Sequence, residues 1–247
     1  MTKRILPLFG FVLTTLSIVS LSSCSEEKAA VPAASNQPAD LSYHEEFDSM
    51  QRVIDAGWKG INLSNPLGAD SWQQGSYIVN ATKGGPFVSN ISAHSYKASA
   101  NELAFVPYTA GAGLSFINCW LISPELSMKN GDKISFWTTT SPAVSFPDRM
   151  QVWLNPNNAS TNVGRGELET GDFTVKLVDI NPNLSFNPYP AGYPTTWTKF
   201  EFTISGLTNG TIPQKHRVGF RYYVKNGGPS GSVSDQIGID DFDFISN

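Results

Sequence analysis

The chain has 247 residues, 40% of them hydrophobic and 15% charged, with 17 basic against 21 acidic side chains. It is long enough to bury a sizeable hydrophobic core. Its net charge of −4 argues against binding to the phosphates of nucleic acid or to an anionic lipid surface.

Residues 1–24 have the pattern of an export signal. Lys3 and Arg4 precede an uncharged run, Ile5–Leu21, which is followed by Ser, Ser and Cys24. An uncleaved membrane helix is the less favoured alternative, because a span needs about 20 apolar residues and this run contains several Thr and Ser residues. The pattern resembles the lipobox of bacterial lipoproteins, which implies that Cys24 is acylated and that residues 1–23 are removed.

Acylation of Cys24 would tether the mature protein to a membrane. More than one acyl chain makes a stable anchor, since each buried methylene contributes roughly 0.8 kcal/mol. Removal of Lys3 and Arg4 leaves 15 basic groups (17 minus 2) against 21 acidic ones, a net charge of −6. The residues after Cys24, Ser25-Glu26-Glu27, resemble the acidic tag that directs lipoproteins of the Bacteroides and Flavobacterium group to the outer face of the outer membrane.

Residues 24–42 are rich in Ala, Pro, Ser and Glu and predict a disordered linker. Residues 43–247 predict one domain, in which short aromatic and β-branched runs alternate with Gly, Pro and Asn clusters. Helical periodicity is absent there, apart from one possible helical turn in 47–56. The predicted strands are 43–48, 103–107, 114–122, 133–140, 150–154, 173–179, 196–204, 217–224 and 236–245.

Strand alternation predicts which carboxylates point into the domain. Successive residues of a strand face opposite sides of the sheet. Asp240 has the parity of Phe242 and Phe244, and Glu45 has the parity of Phe47, so both carboxylates are expected to face inward. An isolated buried carboxylate is costly, so each needs a cation or several hydrogen-bond donors as partners.

Several segments of residues 43–247 have a recognisable order and spacing: Glu45–Asp48, Gly57-Trp58, Trp120–Leu126, Lys133–Trp137, Asp148–Val152, Gly171–Phe173, Tyr193–Trp197, Gly219–Tyr223 and Ile237–Phe242. Together they resemble the choice-of-anchor J domain, which is related to the cleaved adhesin domains of gingipain-type proteins and, more distantly, to MAM-type jelly rolls. The resemblance implies an all-β fold, a two-sheet antiparallel jelly-roll sandwich with adjacent termini.

The same resemblance implies a structural calcium ion where the first and last strands meet. The matching acidic positions are Glu45, Asp48, Asp240 and Asp241. Oxygen ligands suit calcium, which accepts roughly six to eight of them. The alternatives for these carboxylates are salt bridges to Arg149 or Arg221 and simple solvent exposure. The loop Ile61–Asp70 departs from the gingipain-type pattern, because Asp70 is its one carboxylate, so a second calcium site there is not expected.

Aromatic side chains are the candidates for ligand binding, because flat amphipathic rings stack on sugars and anchor interfaces. Four of the six tryptophans lie in or beside predicted strands and are expected in the core: Trp120, Trp137, Trp153 and Trp197. The predicted ligand-binding residues are Phe186, Tyr189 and Tyr193, which lie in a long proline-rich loop. Long loops on rigid sandwiches are where binding usually resides.

Few residues suggest catalysis. The three histidines, His44, His94 and His216, lack the spacing of a zinc-binding helix, and a Gly-x-Ser-x-Gly elbow is absent. The thiol of Cys119 is expected to be buried and structural. Three loop carboxylates are expected to be solvated rather than to form a glycosidase pair: Glu167, Glu169 and Asp172.

The sequence therefore favours a non-catalytic cell-surface lipoprotein with an adhesin-like or carbohydrate-binding module. Its expected partner is a glycan or a surface or host protein. It is expected to contact the membrane through the lipid anchor alone and not to bind nucleic acid. The alternatives are an accessory structural lipoprotein of an outer-membrane surface complex and, less favoured, an unrecognised hydrolase.

Lipidation can be tested by Cys24→Ser. Because Cys24 is the expected acyl acceptor, the variant should incorporate no labelled palmitate and should retain residues 1–23 in intact-mass spectra. Cys119→Ser is the matched control and should be labelled like the unaltered chain. Labelling that persists in Cys24→Ser would contradict the lipobox interpretation.

Overall fold

The computed structural model describes residues 40–76, 91–94, 97, 99, 101–142 and 145–247. The export signal, the lipidation site Cys24 and residues 25–39 of the predicted linker lie outside the described residues. Within these described ranges, no helix has the length and apolar character needed to cross a membrane.

The regular structure of the described residues consists of strands with one short helix and one 3-10 turn. All nine predicted strands and the helical turn are present, with small shifts at their ends. Four strands of three or four residues were not predicted: Lys59–Asn62, Asn65–Leu67, Gln73–Ser76 and Leu126–Met128. In chain order the elements are β1 Tyr43–Glu45, α1 Met50–Asp55, β2 Lys59–Asn62, β3 Asn65–Leu67, β4 Gln73–Ser76, β5 Glu102–Pro107, the 3-10 turn Tyr108–Ala110, β6 Gly111–Ile122, β7 Leu126–Met128, β8 Lys133–Thr140, β9 Met150–Asn155, β10 Val175–Ile180, β11 Thr198–Thr203, β12 Gln214–Gly227 and β13 Gln236–Ile245.

The strands form two antiparallel sheets. Sheet A has the order β11-β8-β13-β5-β4, with β1 beside β13, and sheet B has the order β10-β9-β12-β6-β2, with β3 on β6 and β7 on β12. Their inner faces share one apolar core: Phe220 of sheet B lies 5.0 Å from Phe136 and 5.9 Å from Phe242 of sheet A, ring centre to ring centre. The predicted two-sheet jelly-roll sandwich is confirmed.

The pairing of β1 with β13 brings the two ends of the domain together. Tyr43 lies opposite Phe244, His44 opposite Asp243 and Glu45 opposite Phe242. The predicted adjacency of the opening and closing segments is confirmed, and this short ladder places His44 beside Asp243.

A β-bulge in β13 corrects the predicted orientation of Asp240. Asp240 pairs with Trp137 of β8 and Asp243 with Ser135, so β13 has one extra residue between them, and Asp241 there has a φ of 44°. A bulge shifts the alternation of a strand. Phe242 therefore faces the core, while Asp240 faces outward and accepts a hydrogen bond from the backbone of His94. The prediction that Asp240 shares the face of Phe242 is wrong.

Asp148 is a fully buried carboxyl group between the sheets. Its Oδ1 accepts hydrogen bonds from Tyr222 Oη (2.5 Å) and Asp235 N (2.8 Å). Thr140 Oγ1 lies 2.6 Å from both Asp148 Oδ2 and Gln236 O. None of these contacts is to a cation, so the neutral, protonated form of Asp148 is favoured in the folded protein. Burial raises the pKa of Asp148 to about 7, and its hydrogen bonds offset only part of this rise.

This pKa predicts that Asp148 makes stability depend on pH. Because the folded pKa lies above the value of 3.8 for a free carboxyl, the stabilisation is fully present below pH 4 and is lost as pH rises through 7. The loss is at most about 4 kcal/mol, from roughly 1.4 kcal/mol per pKa unit. Asp148→Asn, which mimics the protonated acid, should remove this decline in urea-unfolding free energies measured between pH 4 and 8.

The exposed Asp55 provides the matched control, since Asp55→Asn should leave the decline unchanged. Equal pH dependence in Asp148→Asn and the unaltered protein would contradict the assignment of a neutral Asp148.

Candidate functional site

The outer face of sheet A carries two cavities, which we call the sheet A groove. The larger has a volume of about 490 Å³, and its lining includes His44, His94, Trp137, Lys199, Asp241 and Asp243. The smaller has a volume of about 370 Å³, and its lining includes Thr139, Thr140, Thr195, Thr196 and Trp197. Strand alternation explains the lining, because Phe136 of β8 and Phe200 of β11 face the core while Trp137 and Lys199 face outward.

Three tryptophans that were expected in the core are instead partly exposed: Trp137, Trp153 and Trp197. The core prediction is wrong for Trp137, whose parity places it on the outer face of sheet A. Trp153 and Trp197 pack against smaller apolar clusters that contain Trp120 and Leu103, respectively. Trp120 is fully buried, as predicted. Trp137 and Trp197 line the groove, whereas Trp153 of sheet B donates a hydrogen bond to Gln151.

His94 joins the groove to the closing strand. Its ring stacks on Trp137, with ring centres 3.8 Å apart and an interplanar angle of 20°, and it lies 6.0 Å from the ring of Trp197. Its Nδ1 hydrogen-bonds the carboxylate of Asp241, and its backbone N–H donates to Asp240 Oδ2 (2.9 Å). No local sequence pattern indicated that His94 would contact Asp240 and Asp241, because these residues lie 146 and 147 positions from it.

The predicted calcium ligands do not form one ligand set among the described residues. Both oxygens of Glu45 accept hydrogen bonds, from Tyr43 Oη (2.8 Å) and Phe47 N (3.1 Å). Asp48 Oδ1 accepts from Ser99 N (3.1 Å). Backbone N–H groups also donate to both oxygens of Asp240. Of the four residues, Asp241 alone belongs to a cluster with the spacing of metal ligands.

The alternative salt bridges are also absent among the described residues. Arg149 forms a bidentate pair with Asp179, with both distances 2.8 Å. Arg221 is buried between the rings of Trp120 (5.0 Å) and Tyr223 (3.9 Å). Its hydrogen bonds go to neutral acceptors: Asn118 Oδ1, Gln151 Oε1 and Glu167 O. Both arginines lie on sheet B, away from the junction of β1 and β13.

The potential metal ligands at the strand junction are His44, Glu46 and Asp241. His44 Nε2 lies 3.0 Å from Glu46 Oε1, and His44 Nδ1 lies 2.6 Å from Asp243 Oδ1. Burial lowers the pKa of His44, but hydrogen bonds to Asp243 and Glu46 raise it by more, so it lies above its usual value. Within the described part of the chain, the buried oxygens Glu46 Oε2 and Asp241 Oδ1 have no hydrogen-bond partner.

The predicted ligand-binding aromatics differ in exposure. Phe186 is 60% exposed and Tyr189 is 45% exposed, but Tyr193 is only 2% exposed. Tyr193 lies in the main core, with its Oη 2.7 Å from Thr138 Oγ1. The prediction for Tyr193 is therefore corrected: the chain turns back into the sandwich at this point, and Pro194 O accepts a hydrogen bond from Thr140 N.

The groups weighed for catalysis have structural partners. His216 is buried, with its ring nitrogens against Asn155 O (3.1 Å) and Asn209 Oδ1 (2.9 Å), and burial lowers its pKa. Burial raises the pKa of the Cys119 thiol to about 11, as expected for a structural cysteine. Glu169 accepts from Arg165 N and Gly166 N of its own loop. Within the described ranges, no hydroxyl or thiol hydrogen-bonds a histidine ring.

The fold is similar to solved structures of cleaved adhesin domains and of a module bound to a galactose oligosaccharide. Two cleaved adhesin domains of Lys-gingipain from Porphyromonas gingivalis have 18% and 16% sequence identity and TM-scores of 0.49 and 0.48; each match covers 83% of this chain and 98% or 99% of theirs. The module TmCBM61, solved with β-1,4-galactotriose, has 12% identity and a TM-score of 0.41, over 82% of this chain and 99% of its own. No family model and no curated protein matches the chain.

The corrected position of Tyr193 predicts a difference between two tyrosines. Tyr193→Phe removes a buried hydrogen bond to Thr138 and should lower the unfolding free energy by about 1 kcal/mol. Tyr189→Phe changes a ring that is 45% exposed, so this variant should have the unfolding free energy of the unaltered chain. Urea unfolding of both variants measures the difference, and an equal loss would contradict the burial of Tyr193.

Proposed function

We propose that the chain is a non-catalytic lipoprotein of the outer membrane, whose choice-of-anchor J-like sandwich binds a glycan in the sheet A groove. One observation carries the proposal: partly exposed rings of Trp137 and Trp197 line cavities that also present hydroxyl and charged groups. Indole rings provide flat apolar surfaces for sugar rings, and polar groups around them fix the orientation of a ligand.

The size and chemistry of the groove support a small ligand or a short stretch of a longer one. Cavity volumes of about 490 and 370 Å³ lie in the range of ligand sites, roughly 300–1,000 Å³. Of the threonines that line the smaller cavity, Thr195 and Thr196 have accessible side chains, whereas the hydroxyls of Thr139 and Thr140 are buried in hydrogen bonds within the protein. Hydroxyl groups can both donate and accept hydrogen bonds, as sugar hydroxyls require.

A binding role is favoured over catalysis because the histidines are engaged in other contacts. His216 is buried against Asn155 and Asn209, and His94 is stacked on Trp137. The lipobox pattern ending at Cys24 and the acidic residues that follow it support an anchored domain at the cell surface. In the alternative accessory role, the domain would be a structural subunit of a larger surface complex, and the groove would bind no glycan.

The proposal predicts that Trp137 is needed for glycan binding. The purified chain is screened on a glycan array, and affinities for the retained glycans are measured by calorimetry. Because truncation of a central tryptophan at an interface costs about 2 kcal/mol or more, Trp137→Ala should weaken binding by at least about 30-fold. Trp153→Ala, which alters a partly exposed ring of sheet B, is the matched control.

Trp153→Ala should retain the affinity of the unaltered chain. Retention of no glycan would favour the accessory role, and a host or surface protein bound through Trp137 would assign the groove to protein recognition. Equal losses in Trp137→Ala and Trp153→Ala would contradict the assignment of the groove as the site.

A further inference from the structure

Two buried carboxylate oxygens at the junction of β1 and β13, Glu46 Oε2 and Asp241 Oδ1, have no hydrogen-bond partner among the described residues. The side chains of these residues are only 12% and 4% exposed. Buried polar atoms are normally satisfied, and an exception calls for an explanation such as a bound ion. These two residues, with His44, each offer a ligand atom within 4.8 Å of the others.

The ion pairs found between described residues do not account for these oxygens. A protonated His44 would bridge Glu46 Oε1 (3.0 Å) and Asp243 Oδ1 (2.6 Å), and His94 contacts Asp241 Oδ2. These contacts engage Glu46 Oε1 and Asp241 Oδ2, and they leave Glu46 Oε2 and Asp241 Oδ1 unengaged. Glu46 Oε2 and Asp241 Oδ1 therefore remain without a partner in the described part of the chain, and buried carboxylate oxygens are costly unless a cation or a donor lies beside them.

The surroundings of His44 have the pattern of a metal-ligating histidine. Such a ring usually donates its second N–H to a carboxylate, which fixes the tautomer and leaves the first nitrogen free to ligate. Here Asp243 Oδ1 faces Nδ1, and Nε2 points to Glu46.

We infer that His44, Glu46 and Asp241 bind one divalent cation of the zinc class, with His44 Nε2 as the nitrogen ligand and Asp243 as its positioning residue. Zinc is held by histidine nitrogen and carboxylate oxygen in four-coordinate sites, so three protein ligands leave one position for water. The inference concerns metal binding and does not require that the groove takes a glycan.

The donor set disagrees with the calcium implied by the family resemblance. Calcium takes roughly six to eight oxygen ligands, whereas this cluster contains one imidazole and two carboxylates. The other predicted ligands supply few free oxygens, because Glu45 and Asp240 accept hydrogen bonds at both of theirs. A site that takes few ligands and includes nitrogen selects zinc over calcium.

Calorimetry with zinc chloride and, separately, calcium chloride tests the inference on the full chain in detergent after treatment with EDTA and its removal. We expect one zinc per chain, bound at least 100-fold more tightly than calcium. Zinc affinity should fall at least 10-fold in His44→Ala and in Glu46→Gln, and about 10-fold in Asp243→Asn. The exposed Glu201 on β11 of the same sheet is the control, and Glu201→Gln should bind zinc like the unaltered chain.

Circular dichroism verifies that each variant is folded. If Glu46→Gln is not, Asp241→Asn replaces it, because asparagine is isosteric and tolerates the positive φ of position 241. Tighter binding of calcium than zinc, binding of neither metal, or zinc affinity unchanged in the folded variants would overturn the inference. X-ray absorption of the bound zinc should show nitrogen and oxygen ligands at about 2.0–2.1 Å, and a sulfur ligand would also overturn it.

Discussion

The pairing of a three-residue strand, β1, with the bulged end of β13 is the constraint on which the site depends. The ladder places His44 opposite Asp243, and the bulge adds one residue between Asp240 and Asp243. As a result, Asp241 turns outward beside Glu46 and His44. Residues about 200 positions apart in the chain are thereby brought together, and four acidic or basic side chains share one small volume.

This junction also organises the groove on the outer face of sheet A. Asp241 contacts His94, and His94 stacks on Trp137. The same histidine lies 6.0 Å from Trp197, so its position affects both cavities. A cation held by Glu46 and Asp241 would fix the carboxylate that orients His94. Metal binding and ligand binding would then be coupled, and such coupling between two sites is reciprocal.

Much of the fold could be predicted because strand alternation and turn residues are local signals. All nine predicted strands are present, and the strands that were missed have three or four residues, too few for a periodic pattern. The adjacency of β1 and β13 also agreed with the family resemblance. The site was harder to predict, although the sequence contains one signal of the bulge that turns Asp240 outward. The apolar residues change parity between Ile239 and Phe242, across Asp240-Asp241.

The side chains that were predicted wrongly depend on long-range packing. Partial exposure of Trp137 and burial of Tyr193 follow from which face of a sheet is covered, and periodicity alone does not determine this.

Hydrogen–deuterium exchange with and without zinc tests the central claim, that a cation holds β1 against the bulge of β13. Zinc should slow amide exchange in residues 43–47 and 240–244 and leave sheet B unchanged. Equal exchange in both conditions, or slowing spread evenly over both sheets, would contradict it.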